Sequence, residues 1–145
     1  MRDFLHSVLA KRAISSTRVT DNTAPVSQII DMQGFESALF VINIGTVADA
    51  DTTIATLLEE SDTNFSGQNT VADADMTSMT AGTAPLTAAG FQFDSDNQVR
   101  VLGYIGGKRY LRLTLTPANN TGNLDVGVVC LQSRAGLRPT VQGTS

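Results

Sequence analysis

Runs of apolar and β-branched residues, separated by polar turn residues, recur along this chain of 145 residues. The densest lies between Val99 and Thr116, where Val, Leu, Ile, Tyr and Thr stand on both sides of Gly106 and Gly107. A glycine pair between two such runs is a hairpin signal, because glycine accepts the positive φ of a tight turn. The pattern therefore predicts an antiparallel hairpin over residues 99–116.

If the two glycines form the turn, the hairpin register places alternate side chains on two faces. The first face is core-like and carries Leu102, Tyr104, Leu111, Leu113 and Leu115. The second face is half-apolar and also carries Thr114, and it is too apolar to meet only water. We predict that it is an assembly interface, formed by Val99, Val101, Ile105, Tyr110 and Arg112.

Further strands are predicted over residues 26–32, 37–44, 91–93 and 124–132. Residues 52–60 fit a helix or a strand, and the threonines at the start favour a strand. Residues 61–90 have no clear periodicity, and a connection of this length is usually functional, an excursion or partly disordered. In total, roughly six to eight short strands with turns between them are typical of an all-β protein, an antiparallel β-sandwich or jelly roll.

The two ends of the chain have different patterns. Apolar residues between positions 3 and 14 recur at helical spacing, with Asp3 near the start and Lys11 and Arg12 near the end, which suits a helix dipole. The last residues are polar and basic and are typical of an extended arm. The predicted organisation is an N-terminal helix or arm over 1–20, a β-sandwich domain over 21–133 and a C-terminal arm over 134–145.

The charge and hydropathy of the chain argue against two classes of partner. The net charge is −4, with 14 acidic and 10 basic residues, whereas a dedicated nucleic-acid binder neutralises phosphates with basic groups. No run approaches the roughly 18 apolar residues of a membrane span, and the N-terminus is a poor signal peptide. We therefore expect a soluble protein made in a reducing cytoplasm, with neither nucleic acid nor membrane as partner.

The chain offers little for catalysis. His6 is the sole histidine and Cys130 the sole cysteine, so no Ser-His-Asp or Cys-His arrangement, disulfide or cysteine-based zinc site is expected. The apolar neighbours of Cys130 favour a buried hydrophobe over a reactive thiol. Phosphate-binding glycine motifs are absent from the sequence. We predict no catalytic residue and no cofactor, and therefore no enzyme.

Three acidic pairs could in principle ligate calcium, which prefers oxygen ligands. They lack the spacing of an EF-hand, so solvated turns are favoured and no metal site is predicted. They are Asp49/Asp51, Asp73/Asp75 and Asp94/Asp96. The first two lie in a short repeat, TVADADTT over 46–53 and TVADADMT over 70–77, which predicts two acidic loops of similar shape.

The segment LGYIGGKRYLRLTLTP, followed after a turn by DVGVVCLQSRAGLRP, resembles the C-terminal half of head decoration (cement) proteins of tailed bacteriophages. TLLEESDTNFS over 56–66 resembles their mid-chain strand and turn. The residues that carry the resemblance are Tyr104, Gly106, Lys108, Arg109, Tyr110, Arg112, Val126–Val129, Arg138 and Pro139.

The resemblance implies a jelly-roll β-sandwich on the outer surface of a phage head. Such proteins commonly form trimers at three-fold and quasi-three-fold positions, where they tie capsomers together. It implies a virion structural protein whose partners are the major capsid protein and further copies of itself.

Two alternatives remain open. The first is another β protein of the virion, associated with head completion, the tail or a fibre. The second is a carbohydrate-binding β-sandwich module, because Tyr104, Arg109, Tyr110 and Arg112 mix aromatic and basic groups that can stack on sugars or bases. Cross-strand packing explains these residues equally well, and the chain has no Trp and only 6% aromatic residues.

Overall fold

The computed structural model describes residues 3–136 and 142–143, and nearly all of its regular structure is β. A five-residue helix, α1, spans Pro85–Ala89, and short 3₁₀ turns span Leu5–Ser7 and Asp73–Asp75. The strands are β1 (Val8–Val19), β2 (Ile30–Asp31), β3 (Ser37–Val47), β4 (Thr53–Ser61), β5 (Asn69–Thr70), β6 (Met76–Ser78), β7 (Phe91–Gln92), β8 (Val99–Tyr104), β9 (Tyr110–Ala118) and β10 (Leu124–Ser133).

The strands form two antiparallel sheets that pack face to face. The first sheet has the order β1-β10-β3-β8-β6, and the second has the order β2-β9-β4-β5, with β7 also paired to β4. From β1 to β4, and again from β8 to β10, each successive strand lies in the opposite sheet. This winding around both sheets is jelly-roll topology. The predicted fold class, an all-β antiparallel sandwich of jelly-roll type, is confirmed.

The core lies between the sheets and is built from alternate residues of the long strands. All five residues of the predicted core-like face are buried, which confirms that they point inward. The largest fully buried side chains are Tyr104, Phe40, Ile30, Ile42, Ile44, Leu58, Leu102, Leu111, Leu113, Leu115, Leu124 and Gln132.

The predicted hairpin is wrong. β8 pairs with β3 and β6 in the first sheet, whereas β9 pairs with β2 and β4 in the second, so residues 105–109 carry the chain from one sheet to the other. In both strands, alternate residues are apolar and point inward. The inward faces of β8 and β9 oppose each other across the core. Periodicity alone cannot distinguish this arrangement from one face of a hairpin.

Gly106 is required for close packing at this crossover. A Cβ atom at Gly106 would lie 2.6 Å from the hydroxyl oxygen of Tyr104 and 2.8 Å from its ring carbons. That ring end is held in place by hydrogen bonds at its hydroxyl, so it has little freedom to move aside. The glycine in this position therefore serves the approach of the backbone to a buried aromatic ring.

The predicted N-terminal helix is also wrong. Only Leu5–Ser7 form a helical turn, and Val8–Val19 form β1, an edge strand paired with β10. Register shifts occur on both sides of Ile14, and Ala13 and Ile14 are both buried. These irregularities break the strict alternation of a strand, which is why the apolar spacing suggested a helix. Residues 8–19 thus belong to the sandwich, and residue 20 is not a structural boundary.

Other predicted elements have mixed outcomes. The strands over 37–44 and 124–132 are present and slightly longer, and residues 52–60 are a strand, as favoured. The segment 26–32 contributes only β2 and an isolated bridge at Val26, and 91–93 only β7. Residues 61–90 contain β5, β6 and α1.

The predicted C-terminal arm is only partly described. Arg138 and Pro139 lie outside the described residues. Gln142 forms hydrogen bonds with the backbone of Leu5, Val8 and Ala10.

Tyr104 links the two sheets through its hydroxyl. This hydroxyl donates a hydrogen bond to Glu60 Oε2 (2.8 Å) and accepts one from the Lys108 backbone N–H (2.9 Å). Burial and the hydrogen bond to Glu60 raise the pKa of Tyr104 far above its ordinary value. The side chain is therefore a neutral donor at physiological pH.

A Tyr104→Phe substitution should lower the free energy of unfolding by about 1–3 kcal/mol, because it leaves Glu60 and the Lys108 N–H without a partner. Urea denaturation measures the change. Tyr110→Phe is the matched control, since the Tyr110 ring lies on an outer face and only its hydroxyl is removed; we expect a change below about 0.5 kcal/mol. Equal stability of Tyr104→Phe and the wild-type chain would contradict the prediction.

Candidate functional site

The outer face of the first sheet carries a continuous set of aliphatic side chains. In β10, β3 and β8, the register aligns Val129 with Val41 and Val41 with Val101, which makes a row across three strands. The neighbouring row aligns Leu131 with Leu39, and Val99 extends the patch along β8. We call this set the apolar face; it consists of Leu39, Val41, Val99, Val101, Val129 and Leu131.

The apolar face is open to solvent in this chain. The side chains of Val99 and Val129 are 49% and 44% exposed, and the other four members are half-buried. Branched aliphatic side chains offer neither hydrogen-bond donors nor acceptors, so this surface is suited to contact with another apolar surface. Arg12 on β1 aligns with Val129 and begins a polar margin.

The outer face of the second sheet is polar by contrast. The Arg112 guanidinium pairs with Glu59 at 2.9 Å and lies 4.6 Å from the centroid of the Phe65 ring. The Arg109 guanidinium lies 4.9 Å from the centroid of the Tyr110 ring. We call this surface the polar face; its members on β4 and β9 are Thr53, Ala55, Leu57, Glu59, Tyr110, Arg112, Thr114 and Thr116.

The five residues of the predicted assembly interface do not share a surface. Val99 and Val101 belong to the apolar face, and Tyr110 and Arg112 belong to the polar face on the other side of the sandwich. Ile105 lies on the crossover between the sheets and is exposed. The predicted grouping is wrong because it depended on the hairpin register.

Four members of the apolar face were missed from the sequence. Leu39 and Val41 lie in SALFVINI, and Val129 and Leu131 lie in LDVGVVCLQ. Both runs are apolar at odd and even positions alike, which is the available signal for a strand with two apolar faces. In a two-layer sandwich only one face of each strand reaches the core. The second apolar face of such a strand therefore lies on the outer surface of the sandwich.

The candidate catalytic side chains are isolated from one another. The exposed His6 pairs with Asp3 at the N-terminus, and this hydrogen bond lowers the pKa of Asp3. Cys130 is fully buried in the first sheet, as predicted, and burial raises the pKa of its thiol to about 12.

The described part of the chain has no helix long and apolar enough to cross a membrane.

In the first acidic pair, Asp49 stabilises its loop. Asp49 Oδ2 accepts hydrogen bonds from the backbone N–H and the hydroxyl of Thr121, each at 2.7 Å, and its Oδ1 accepts one from the Asp51 N–H. The second copy of the repeat forms a 3₁₀ turn over Asp73–Asp75, in which the Met76 N–H donates to the Asp73 carbonyl. The first copy has the equivalent hydrogen bond from the Thr52 N–H to the Asp49 carbonyl, and each copy connects two strands. Within residues 3–136 and 142–143, no three His, Cys, Asp or Glu side chains are grouped to hold a metal ion.

Acid should destabilise the fold through three carboxylates. Ion pairs with Arg109 and Arg18 hold the pKa values of Asp31 and Asp125 below the ordinary 3.8, and backbone and Thr121 hydrogen bonds do the same for Asp49. Because each pKa is lower in the folded state, its stabilisation is present above about pH 4 and is lost as the pH falls through the folded pKa.

We therefore expect the midpoint of thermal unfolding to hold between pH 7 and 5 and to fall steadily below pH 4. Circular dichroism melts at low salt measure it. Asp49→Asn should reduce the size of the acid-dependent fall, while Asp51→Asn, a change at an exposed neighbour, should not. A midpoint that is constant from pH 6 to pH 3 would contradict this prediction.

Comparison with solved structures found several distant likenesses, two of which are described below. No family model matches the chain, and no curated protein matches it. The C-terminal family 22 carbohydrate-binding module of Clostridium thermocellum Xyn10B has 14% identity and a TM-score of 0.44, over 97% of this chain and 92% of that one. A xylan-binding domain of family 22 has 14% identity and a TM-score of 0.43, over 94% and 92%.

These two structures belong to the class of the second alternative, carbohydrate-binding modules, and not to that of phage decoration proteins. Their likeness to this chain is too low to assign a function. The jelly-roll assignment rests on strand order alone, and the resemblance to decoration proteins stays a prediction.

Proposed function

We propose that this chain is a non-enzymatic structural protein of a virus particle, a decoration protein that binds the outside of a phage head and bridges its subunits. The single observation that carries the assembly role is the apolar face, which is continuous across β10, β3 and β8. A surface of this kind on a protein of 15.3 kDa is typical of a protein–protein contact.

The apolar face favours another copy of the chain as its first partner. Symmetric assembly buries the same surface on every copy, so one aliphatic patch can serve each subunit of a small oligomer. The polar face, which lies on the opposite side of the sandwich, stays available in such an oligomer for a second partner. Its charged groups, including the Arg112–Glu59 pair, would set orientation on that partner.

The assignment to a virion rests on the sequence resemblance around Tyr104–Arg112. In the structure this segment forms the crossover between sheets and the start of β9, so its residues have structural roles as well. Several copies joined through their apolar faces would present several polar faces at once. Many weak contacts at high effective concentration then hold neighbouring capsid subunits together.

Two measurements test the proposal. Sedimentation velocity of the purified chain should show an oligomer in the micromolar range, and the chain should cosediment with heads of the phage that encodes it, in proportion to the number of capsid subunits. A strict monomer that does not bind heads would overturn both parts. An oligomer that binds the tail but not the head would support the alternative of a tail or fibre protein.

A carbohydrate-binding module is the second candidate. The observation that favours it is the polar face, where Tyr110, threonine hydroxyls and the ion pair of Arg112 with Glu59 lie on one face of one sheet. Aromatic rings and hydrogen-bonding groups together are what sugar recognition needs. A glycan array that includes xylan fragments tests it. Binding that is lost in Tyr110→Ala would support this candidate, and an array without hits would exclude it.

A further inference from the structure

A cavity of about 600 Å³ opens between the two sheets at the edge of the second sheet. There β4 pairs with β7 at Thr53 and Ile54 and with β5 at Glu59 and Glu60, and no strand of the described residues pairs with that edge of β4 in between. We call this opening the edge cavity. The lining residues that matter here are Thr56, Leu86, Phe91, Asp94, Ser95 and Arg100.

Thr56 lines the edge cavity and has a buried hydroxyl without a hydrogen-bond partner among the described residues. The residue is only 7% exposed. The Leu58 carbonyl accepts a hydrogen bond from Val71 on this edge, so strand alternation directs the N–H and C=O of Thr56 to the same edge. Buried polar groups are normally paired, and a ligand in the cavity would supply the partners.

Arg100 reaches the cavity from the first sheet. Its guanidinium donates to Gln98 Oε1 at 2.7 Å and to Ser95 Oγ at 3.2 Å, both neutral acceptors. Within the described residues no carboxylate lies within 4.0 Å of it. A half-buried guanidinium with free donors is suited to a carboxylate, which it can bind with two parallel hydrogen bonds.

The other walls restrict the chemistry of the ligand. Asp94 lines the cavity, and its Oδ1 accepts a hydrogen bond from Ser95 Oγ at 3.4 Å. The carboxylate of Asp94, as a hydrogen-bond acceptor in the cavity, calls for a hydroxyl donor on the ligand. Leu86 and Phe91 provide an apolar wall for C–H groups. The volume falls within the range of small-molecule sites.

We propose that the edge cavity binds a small hydroxylated carboxylate, of the class of sugar acids, with its carboxylate on Arg100 and its hydroxyl groups on Thr56 and Asp94. The site lies between the sheets and is separate from the apolar face, so the proposal is independent of the assembly role. Free sugar acids and uronic acid residues of a polysaccharide share this chemistry.

Calorimetric titration of the full chain with sodium glucuronate tests the proposal, with glucose and sodium acetate as the neutral and unhydroxylated comparisons. We expect binding of glucuronate, with glucose and acetate at least tenfold weaker. A glucuronate oligomer that binds more tightly than the monomer identifies a polysaccharide source, and preference for the monomer identifies a free acid. Absence of glucuronate binding, or equal binding of glucose or acetate, would overturn the proposal.

Variants connect the binding to the named groups. Arg100→Gln should weaken glucuronate binding at least tenfold, whereas Arg18→Gln, which removes an arginine on β1 outside the cavity, should leave it unchanged. Thr56→Val should weaken binding without lowering the midpoint of thermal unfolding, because its hydroxyl has no partner in the free chain. Arg100→Lys, which keeps the charge, provides a second variant if Arg100→Gln does not fold. Binding that survives Arg100→Gln or Arg100→Lys at full strength would contradict the assignment.

Discussion

A Val129→Asp substitution should weaken self-association of the chain about a hundredfold or more. Val129 is the most exposed member of the apolar face on β10, so its side chain meets solvent in the free chain and the partner in the oligomer. A carboxylate introduced there would lose its hydration against the aliphatic surface of the partner on association, which costs several kcal/mol. The dissociation constant from sedimentation equilibrium measures the effect.

The fold should tolerate this change, because the position is 44% exposed and an aspartate there can remain solvated in the free chain. The midpoint of thermal unfolding provides that check. Val99→Asp, on β8 of the same face, should act in the same direction.

Tyr110→Asp and Thr116→Asp are the matched controls, since both place a carboxylate on the polar face of the opposite sheet. We expect each to leave self-association within about threefold of the wild-type value, as is usual for a charge outside the interface. The reverse result, with Tyr110→Asp disruptive and Val129→Asp silent, would assign assembly to the polar face.

A Leu113→Ala substitution should lower the free energy of unfolding by about 2–5 kcal/mol. Leu113 on β9 is fully buried among the side chains of both sheets. Its truncation removes buried methyl groups and leaves a cavity that a packed core fills only partly. Urea denaturation measures the loss. A shift of the urea midpoint, without a change in the slope of the unfolding free energy against urea concentration, would assign the loss to the folded state.

Thr114→Ala is the control at the adjacent position. Thr114 belongs to the polar face, opposite Leu57 on β4, so only half-exposed contacts are lost and a change below about 1 kcal/mol is expected. Equal losses from the two substitutions would contradict the inward and outward assignments of β9.

Strict alternation explains what was predictable in the fold. Leu111, Leu113 and Leu115 alternate with polar residues, so their inward direction follows from the two-residue period of a strand. Residues 52–60, where periodicity left helix and strand open and the threonines at the start favoured a strand, form β4, whose buried members include Ile54, Thr56 and Leu58. Where the period was clear, the local pattern identified the strand and its inward face, whereas the turn signal at Gly106 and Gly107 did not identify the strand's partner.

The apolar face and the edge cavity could not be predicted from local patterns in the sequence. Val41 and Val129 belong to apolar runs of the sequence. They lie next to each other on one open face because of the register of β3 with β10, and Val101 joins them because of the register of β3 with β8. The edge cavity needs Thr56 from one sheet and Arg100 from the other, and no local pattern brings positions 44 residues apart together. Both surfaces are products of strand order.

By itself, the sequence determined that this chain is a β-sandwich, which side chains of residues 99–116 face the core, and that Cys130 is buried. These properties follow from local alternation and from the hydrophobic effect, which act over a few residues. Only the tertiary structure decided that β8 and β9 lie in opposite sheets, that residues 8–19 form an edge strand, and that one outer face is aliphatic and the other polar. Strand pairing is the physical reason, because the choice of partner depends on contacts between residues far apart in the chain.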